Sequence, residues 1–105
     1  MIKTVELFSD DGLWNISVSA KIDTGAYRSS IDETIADSLG LEPHRYKTFK
    51  NAMGKQRRGL AYANAVIDGH DKRLELSIAN RKGLRYPMII GRKDLKDYNL
   101  DSHTM

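Results

Sequence analysis

The sequence predicts a mainly β fold, mostly antiparallel, with two short helices. Three observations carry this. Trp14, Ile16, Val18, Ala20 and Ile22 are apolar while Asn15, Ser17, Ser19 and Lys21 are polar, a period of two that marks a half-buried strand. Turn-forming clusters at Ser9 to Gly12, Asn51 to Gly54 and Asp68 to Asp71 separate extended runs. Only one stretch, Ile31, Ile35 and Leu39, repeats at helical spacing before a Gly.

In chain order, Ile2 to Phe8 alternates loosely and pairs with the Trp14 strand through the Ser9-Asp10-Asp11-Gly12 loop, with Trp14 expected as an anchor in the core. Ser30-Ile31-Asp32-Glu33 fits a capping box, which predicts a helix over 31–39, with Gly40 as its left-handed C-terminal cap. Extended chain from Arg45 to Phe49 and from Leu60 to Ile67, broken at Asn51-Ala52-Met53-Gly54, predicts a long basic hairpin. Asp68-Gly69-His70-Asp71 turns the chain again. Leu74, Leu76 and Ile78 then alternate with Glu75 and Ser77, and Asn80 to Leu84 loops into the apolar run Tyr86 to Ile90. A short helix over about 92–96 ends the pattern.

The chain has 105 residues, 40% of them apolar and 30% charged, with no Cys and 2 Pro, the composition of an ordinary globular domain, and no repeat or linker divides it. A single domain over 1–105 is the expectation. A chain this size buries roughly two thirds of the surface its unfolded form exposes, which leaves little room for both a core and a walled cleft. A deep active site would have to be shared between subunits. No apolar run approaches the roughly 18 residues of a spanning helix, and Met1 to Glu6 has no signal-peptide core, which points to the cytoplasm and away from a membrane. Without Cys there is no disulfide, thiolate metal site or Cys nucleophile.

The net charge of +3 hides an asymmetry. Residues 1–42 carry 3 basic and 8 acidic side chains, residues 43–93 carry 13 and 3, and residues 94–105 carry 1 and 3. The basic segment reads either as a surface for an acidic partner or as a solvated strand face.

Two pieces carry chemistry. Ala20-Lys21-Ile22-Asp23-Thr24-Gly25-Ala26 ends a hydrophobic strand on a carboxylate followed at once by Thr and Gly, and Met88-Ile89-Ile90-Gly91-Arg92 sets a second apolar strand against a Gly. Together they resemble the marks of the retropepsin-like aspartic proteases, hydrophobic-Asp-Thr-Gly-Ala in the first half and two apolar residues then Gly-Arg near the end. Lys21 to Ala26 with Ser29-Ser30, and Tyr86 to Lys93 with Leu95, look like the bacterial branch labelled ATP-dependent zinc proteases. The motifs cover about a fifth of the chain.

The resemblance implies a retropepsin-like closed barrel or antiparallel sheet with one or two short helices. It also implies a homodimer in which Asp23 of each copy meets on the two-fold axis, since one carboxylate must take a proton from water while a second donates to the carbonyl oxygen. Thr24 would hydrogen-bond across the dimer, and Gly25 would let the substrate backbone approach. Ala26, Tyr27, Met53, Gly54 and Ile90 would touch substrate, with Ile89 in the core, and Gly91 and Arg92 would support the site. Arg92 usually anchors to an acidic residue just after this segment; Tyr27 and Arg28 stand there instead, so its partner is open. The basic hairpin falls where the family carries its flap, with Lys47, Lys50, Lys55, Arg57 and Arg58 and no acidic residue from 43 to 67. If those charges face the cleft, an acidic, glutamate-rich peptide is the natural substrate.

Other chemistry is weaker. His44, His70 and His103 form no metal-ligand pattern, and no phosphate-binding Gly-rich loop is present, so no metal or other cofactor is expected. Ser29 and Ser30 read as helix-capping residues. Asp97 to Asp101 could pair across the dimer axis. The leading reading is an aspartic peptidase acting on a peptide or protein substrate. The alternative is a catalytically inactive dimer of the same fold serving as a basic module for an acidic protein or, less favoured, nucleic acid.

Overall fold

The computed structural model describes residues 1–95. Along the chain run β1 (Ile2–Phe8), β2 (Asn15–Ile22), β3 (Ser29–Asp32), α1 (Glu33–Ser38), β4 (Arg45–Asn51), β5 (Gly54–Ile67), β6 (His70–Ala79), β7 (Met88–Ile90) and α2 (Arg92–Leu95). The strands pair in the order β1-β2-β7-β3-β6-β5-β4, and β1 also pairs with β5. Six strands therefore close into a barrel, and β4 lies outside it on the edge of β5. Closure removes the exposed edges that an open sheet of this size would leave. Among the described residues no helix is long and apolar enough to cross a membrane.

The hairpins form where the turn chemistry predicts them. Ser9 to Gly12 turn β1 into β2, with Gly12 at φ 75° and Asp11 accepting from the Leu13 N–H at 2.9 Å. Asp68 and Gly69, both at positive φ, turn β5 into β6. Two pairings are parallel, β2 with β7 and β3 with β6, and they join segments far apart in sequence that local patterning does not reveal. Val5, Leu7, Val18, Ala20, Ile31, Leu74, Leu76, Met88 and Ile90 fill the barrel interior at 5% exposure or less.

Three expectations change. Trp14 is 68% exposed beside the β1–β2 turn rather than in the core, because β2 begins one residue later and its inward set starts at the partly buried Ile16. The helix predicted over 31–39 is a six-residue helix preceded by a buried strand. Asp32, not Ser30, is its N-cap: one carboxylate oxygen accepts from the Thr34 N–H at 3.1 Å and from the Thr34 hydroxyl, the other from the Arg81 N–H at 2.7 Å. The Thr34 hydroxyl above all, against the cost of burial and with help from those N–H groups, holds the Asp32 carboxyl below its usual range. Ser30 lies in β3 and donates to the Ser77 carbonyl at 3.0 Å. Gly40 does close the helix in the left-handed region, at φ 66°.

The third change is on β6. Leu74 and Leu76 are buried, but so are Glu75 and Ser77, at 3% and 2% exposure, because chain covers both faces of this strand. α2 ends the description at Leu95. The Asp97 to Asp101 pairing and His103 lie outside the described residues.

Leu76→Ala is expected to cost about 2–5 kcal/mol by leaving a cavity in the barrel, whereas Trp14→Ala should stay within about 0.5 kcal/mol. Urea denaturation of both variants checks this contrast.

Candidate active site

The topology places the Asp23 segment. β7 lies between β2 and β3, running parallel to β2 and antiparallel to β3, so the chain from Asp23 to Arg28 must cross the C-terminal end of β7. At that crossing stands Gly91. A Cβ there would lie 2.6 Å from the Tyr27 carbonyl oxygen, 2.6 Å from the Arg28 carbonyl carbon and 2.7 Å from its oxygen, all backbone atoms that cannot swing aside. Glycine is required here by close approach of two backbones.

The contact is sealed by hydrogen bonds along its length. The Asp23 N–H donates to the Ile90 carbonyl, the Arg92 N–H to that of Ala26 and the Lys93 N–H to that of Tyr27, each at 2.9 Å. The Gly91 N–H donates to Ser29 Oγ at 3.1 Å, and Ser29 Oγ donates to Asp94 at 2.5 Å. Burial raises the Asp94 carboxyl, an effect that the Ser29 bond opposes only in part. Ser29 and Ser30 are therefore buried structural hydroxyls in β3 and not helix caps.

Within this frame Asp23 is half-buried, and its Oδ1 accepts from the Gly25 N–H at 3.0 Å. A Cβ at Gly25 would come within 3.2 Å of the same oxygen. Thr24 is exposed beside it, and its carbonyl accepts from the Arg92 guanidinium at 3.1 Å. That bond answers the open question of the Arg92 partner: with no carboxylate after Ala26, Arg92 holds a main-chain carbonyl and lies 5.7 Å from the centre of the Tyr27 ring.

Two hollows flank the segment. One, of about 590 Å³, is lined by Asp23, Lys21, Arg81, Tyr86, Ile89 and neighbours. The other, of about 380 Å³, is lined by Ala26, Tyr27, Phe49, Ile89 and the cations Arg28, Lys47, Arg58 and Arg81, without a carboxylate. Ile89 faces both, while Ile90 is 1% exposed and belongs to the core. The expected placements of these two residues are thus exchanged, because alternation along β7 points Met88 and Ile90 inward.

The basic hairpin does reach over the segment, but through its shank. Lys47, Phe49 and Arg58 line the second hollow, whereas Met53, at the tip with Gly54, is 95% exposed. Register divides the charges: Lys47 opposes Arg58 on the cavity face, and Lys50 opposes Lys55 on the other, as do Thr48 and Arg57. Two of the five cations therefore face the cleft. Neither Phe49 nor Arg81 carries a motif that marks it in the sequence, although alternation along 45–49 puts Phe49 on the same face as Lys47.

A second cluster braces the segment from below. The buried Glu75 accepts from Arg28 at 2.8 Å, His44 at 2.7 Å, Arg45 at 3.2 Å and Lys93 at 2.5 Å. Burial alone would raise its pKa, but the bonds from Arg45, Lys93 and His44 outweigh it and hold the carboxyl far below its usual range. Arg28 ends the Asp23 segment and Lys93 belongs to α2, so one carboxylate ties both sides of the Gly91 crossing to β6. Among the described residues no three His, Cys, Asp or Glu side chains gather as a metal site requires.

No family model and no curated protein matches the chain. Solved structures do. The solution structure of the simian foamy virus (mac) protease is 15% identical, with 90% of this chain and 91% of that one covered at a TM-score of 0.65. A Legionella pneumophila protein of unknown function is 20% identical over 91% of this chain and 85% of that one, at 0.61. The foamy viral protease-reverse transcriptase, solved with an RNA/DNA hybrid, is 16% identical over 90% of this chain and 12% of its own much longer one, at 0.63. The fold is thus of the retropepsin-like class, a mainly β closed barrel with two short helices.

Gly91→Ala should force the crossing apart and lower stability by about 1–3 kcal/mol or more, read by denaturant unfolding. Glu75→Gln should cost about 1–3 kcal/mol at pH 7, less than for a fully buried pair because Arg45 and Lys93 still meet water. A carboxyl whose folded pKa is depressed stabilises above its unfolded pKa, about 4.3 for Glu, and that contribution fades as pH falls below it. The gap between wild type and Glu75→Gln should therefore narrow from pH 5 toward pH 3, as followed by urea denaturation at each pH.

Proposed function

We propose that the protein is an aspartic peptidase in which two copies of the chain each contribute Asp23 to one water-activating pair, and that it cleaves acidic peptides in the cytoplasm. The carrying observation is the Asp23-Thr24-Gly25 segment held across Gly91 at the mouth of a retropepsin-like barrel. One Asp23 carboxylate takes a proton from the attacking water while its protonated counterpart donates to the scissile carbonyl oxygen. Two carboxylates this close share one proton, as aspartic proteases do.

Exposed Thr24 is free to meet its copy across the axis, and Gly25 leaves room for substrate backbone. The motifs Lys21 to Ala26 and Tyr86 to Lys93 support a likeness to the bacterial branch labelled ATP-dependent zinc proteases. Support for an acidic substrate comes from the second hollow, where four cations and no carboxylate line the wall. That hollow alone would equally serve a binding module; Asp23 beside it favours the enzyme, because a binder gains nothing from a carboxylate brought against its own copy.

Wild-type protein should cleave members of a mixed peptide pool between pH 4 and 7, with products identified by mass, and Asp23→Asn should lose at least about a thousandfold of that activity. Sedimentation should find a dimer at the concentrations that cleave. A folded dimer that cleaves nothing would instead favour the binding module.

A further inference from the structure

Arg81 joins the two hollows that flank Asp23. It lines both, as Ile89 does. Its position is set by main-chain contacts on either side: its N–H donates to Asp32 at 2.7 Å, and its Nε donates to the Tyr86 carbonyl at 3.0 Å. The Asp32 carboxylate is occupied with capping α1, and among the described residues Arg81 makes no ion pair. Burial first, and then the nearby Arg58 charge, hold the Arg81 guanidinium below its usual pKa.

Arg58 is also held in place. Its Nε and Nη2 both donate to Gln56 Oε1, at 2.9 and 2.8 Å, and its guanidinium lies 5.0 Å from the centre of the Phe49 ring. Two guanidiniums line one cavity whose wall holds no carboxylate, and they repel each other, a repulsion that Asp32 and Asp23 offset only from outside that cavity. An anion between them relieves that repulsion and accepts charge-assisted hydrogen bonds.

We propose that Arg81 and Arg58 form a carboxylate clamp beside Asp23, which selects peptides with an acidic side chain adjoining the bond to be cut. The proposal rests on the peptidase reading for the word "cut", but the clamp itself does not. A carboxylate suits the site better than a phosphate backbone. Arg81 shares its other hollow with Asp23, whose charge would repel a polyanion running past it, whereas a peptide presents one charge to the clamp and neutral backbone to Asp23. Arg81 is then a specificity-determining residue, ahead of Lys50, Lys55 and Arg57 on the far face of the hairpin.

The test uses the full chain carrying Asp23→Asn, so that nothing is cleaved, and a labelled alanine-based peptide with a single glutamate beside its glutamine counterpart. Fluorescence anisotropy should show the glutamate peptide bound about tenfold or more tightly than the glutamine peptide. Adding Arg81→Gln should abolish that preference, so that the glutamate and glutamine peptides bind alike. Arg81→Lys, which keeps the charge but not the fork, should retain a smaller preference, and Arg58→Gln should weaken it without touching the Tyr86 contact. Circular dichroism establishes that each variant is folded. A glutamate preference that survives Arg81→Gln overturns the proposal, and so does no measurable glutamate binding or tighter binding of a single-stranded oligonucleotide at the same site. Parallel cleavage assays on the chain with Asp23 intact separate the two readings. Cleavage indifferent to glutamate sinks the clamp alone, and a clamp that binds in a protein that never cleaves sinks the peptidase reading alone.

Discussion

The site depends on the absence of one side chain. Because Gly91 has no Cβ, the end of β7 can lie directly under the Tyr27–Arg28 backbone, with room for nothing larger than hydrogen. The three backbone bonds from Asp23, Arg92 and Lys93, and the Gly91 bond to Ser29, form only at that separation. The barrel order makes the crossing unavoidable, since β7 is inserted between β2 and β3. Asp23 is thus positioned by main-chain contacts across the Gly91 crossing.

Electrostatics around this crossing is arranged with the acid on the barrel strand β6 and the cations on the segments that pack against it. Glu75 on β6 is the common acceptor for Arg28, His44, Arg45 and Lys93, which come from the Asp23 segment, the approach to β4 and α2. With Arg28 following Tyr27 and no acid in that stretch, Arg92 turns to the Thr24 carbonyl instead. A buried carboxylate whose partners come from three separate segments resists the removal of any one of them, because the others remain bonded. Its cost falls on acidification, when its proton must compete with four donors. The neighbouring cavity has cations and no such acceptor, and that difference makes it a place for an external anion.

The strands with alternating patterns and the turns with Gly and Asp were legible in the sequence, as were the Asp23 and Gly91 motifs. Local chemistry determines each of these: β1 and β2 lie within a residue of their expected places, and the chain reverses at Asn51 to Gly54 and at Asp68-Gly69 as expected, but β5 starts at Gly54 and β6 at His70, six and four residues before the runs that the pattern marks. β3 was not legible. Ser29 to Asp32 is four residues long, and its neighbours β6 and β7 are distant in sequence, so a capping-box pattern won locally where tertiary pairing wins in the fold. Trp14 failed for the opposite reason: alternation continues past the end of a strand at no energetic cost. The burial of Glu75 was hidden because polar alternation implies an exposed face, and only the arrival of Arg28, His44, Arg45 and Lys93 reveals that the face is covered. Arg81 sits in an irregular loop where no periodicity points anywhere.

The most direct test of the shared-site account is a subunit-mixing experiment. Wild-type and Asp23→Asn chains are unfolded together in equal amounts, refolded, and assayed at fixed total protein on a peptide that the wild type cleaves. If each site needs Asp23 from both copies, random pairing leaves about a quarter of the dimers active, and activity falls with the square of the wild-type fraction. A linear fall, to about half at equal mixing, would mean that each chain works with its own Asp23 and would contradict the account.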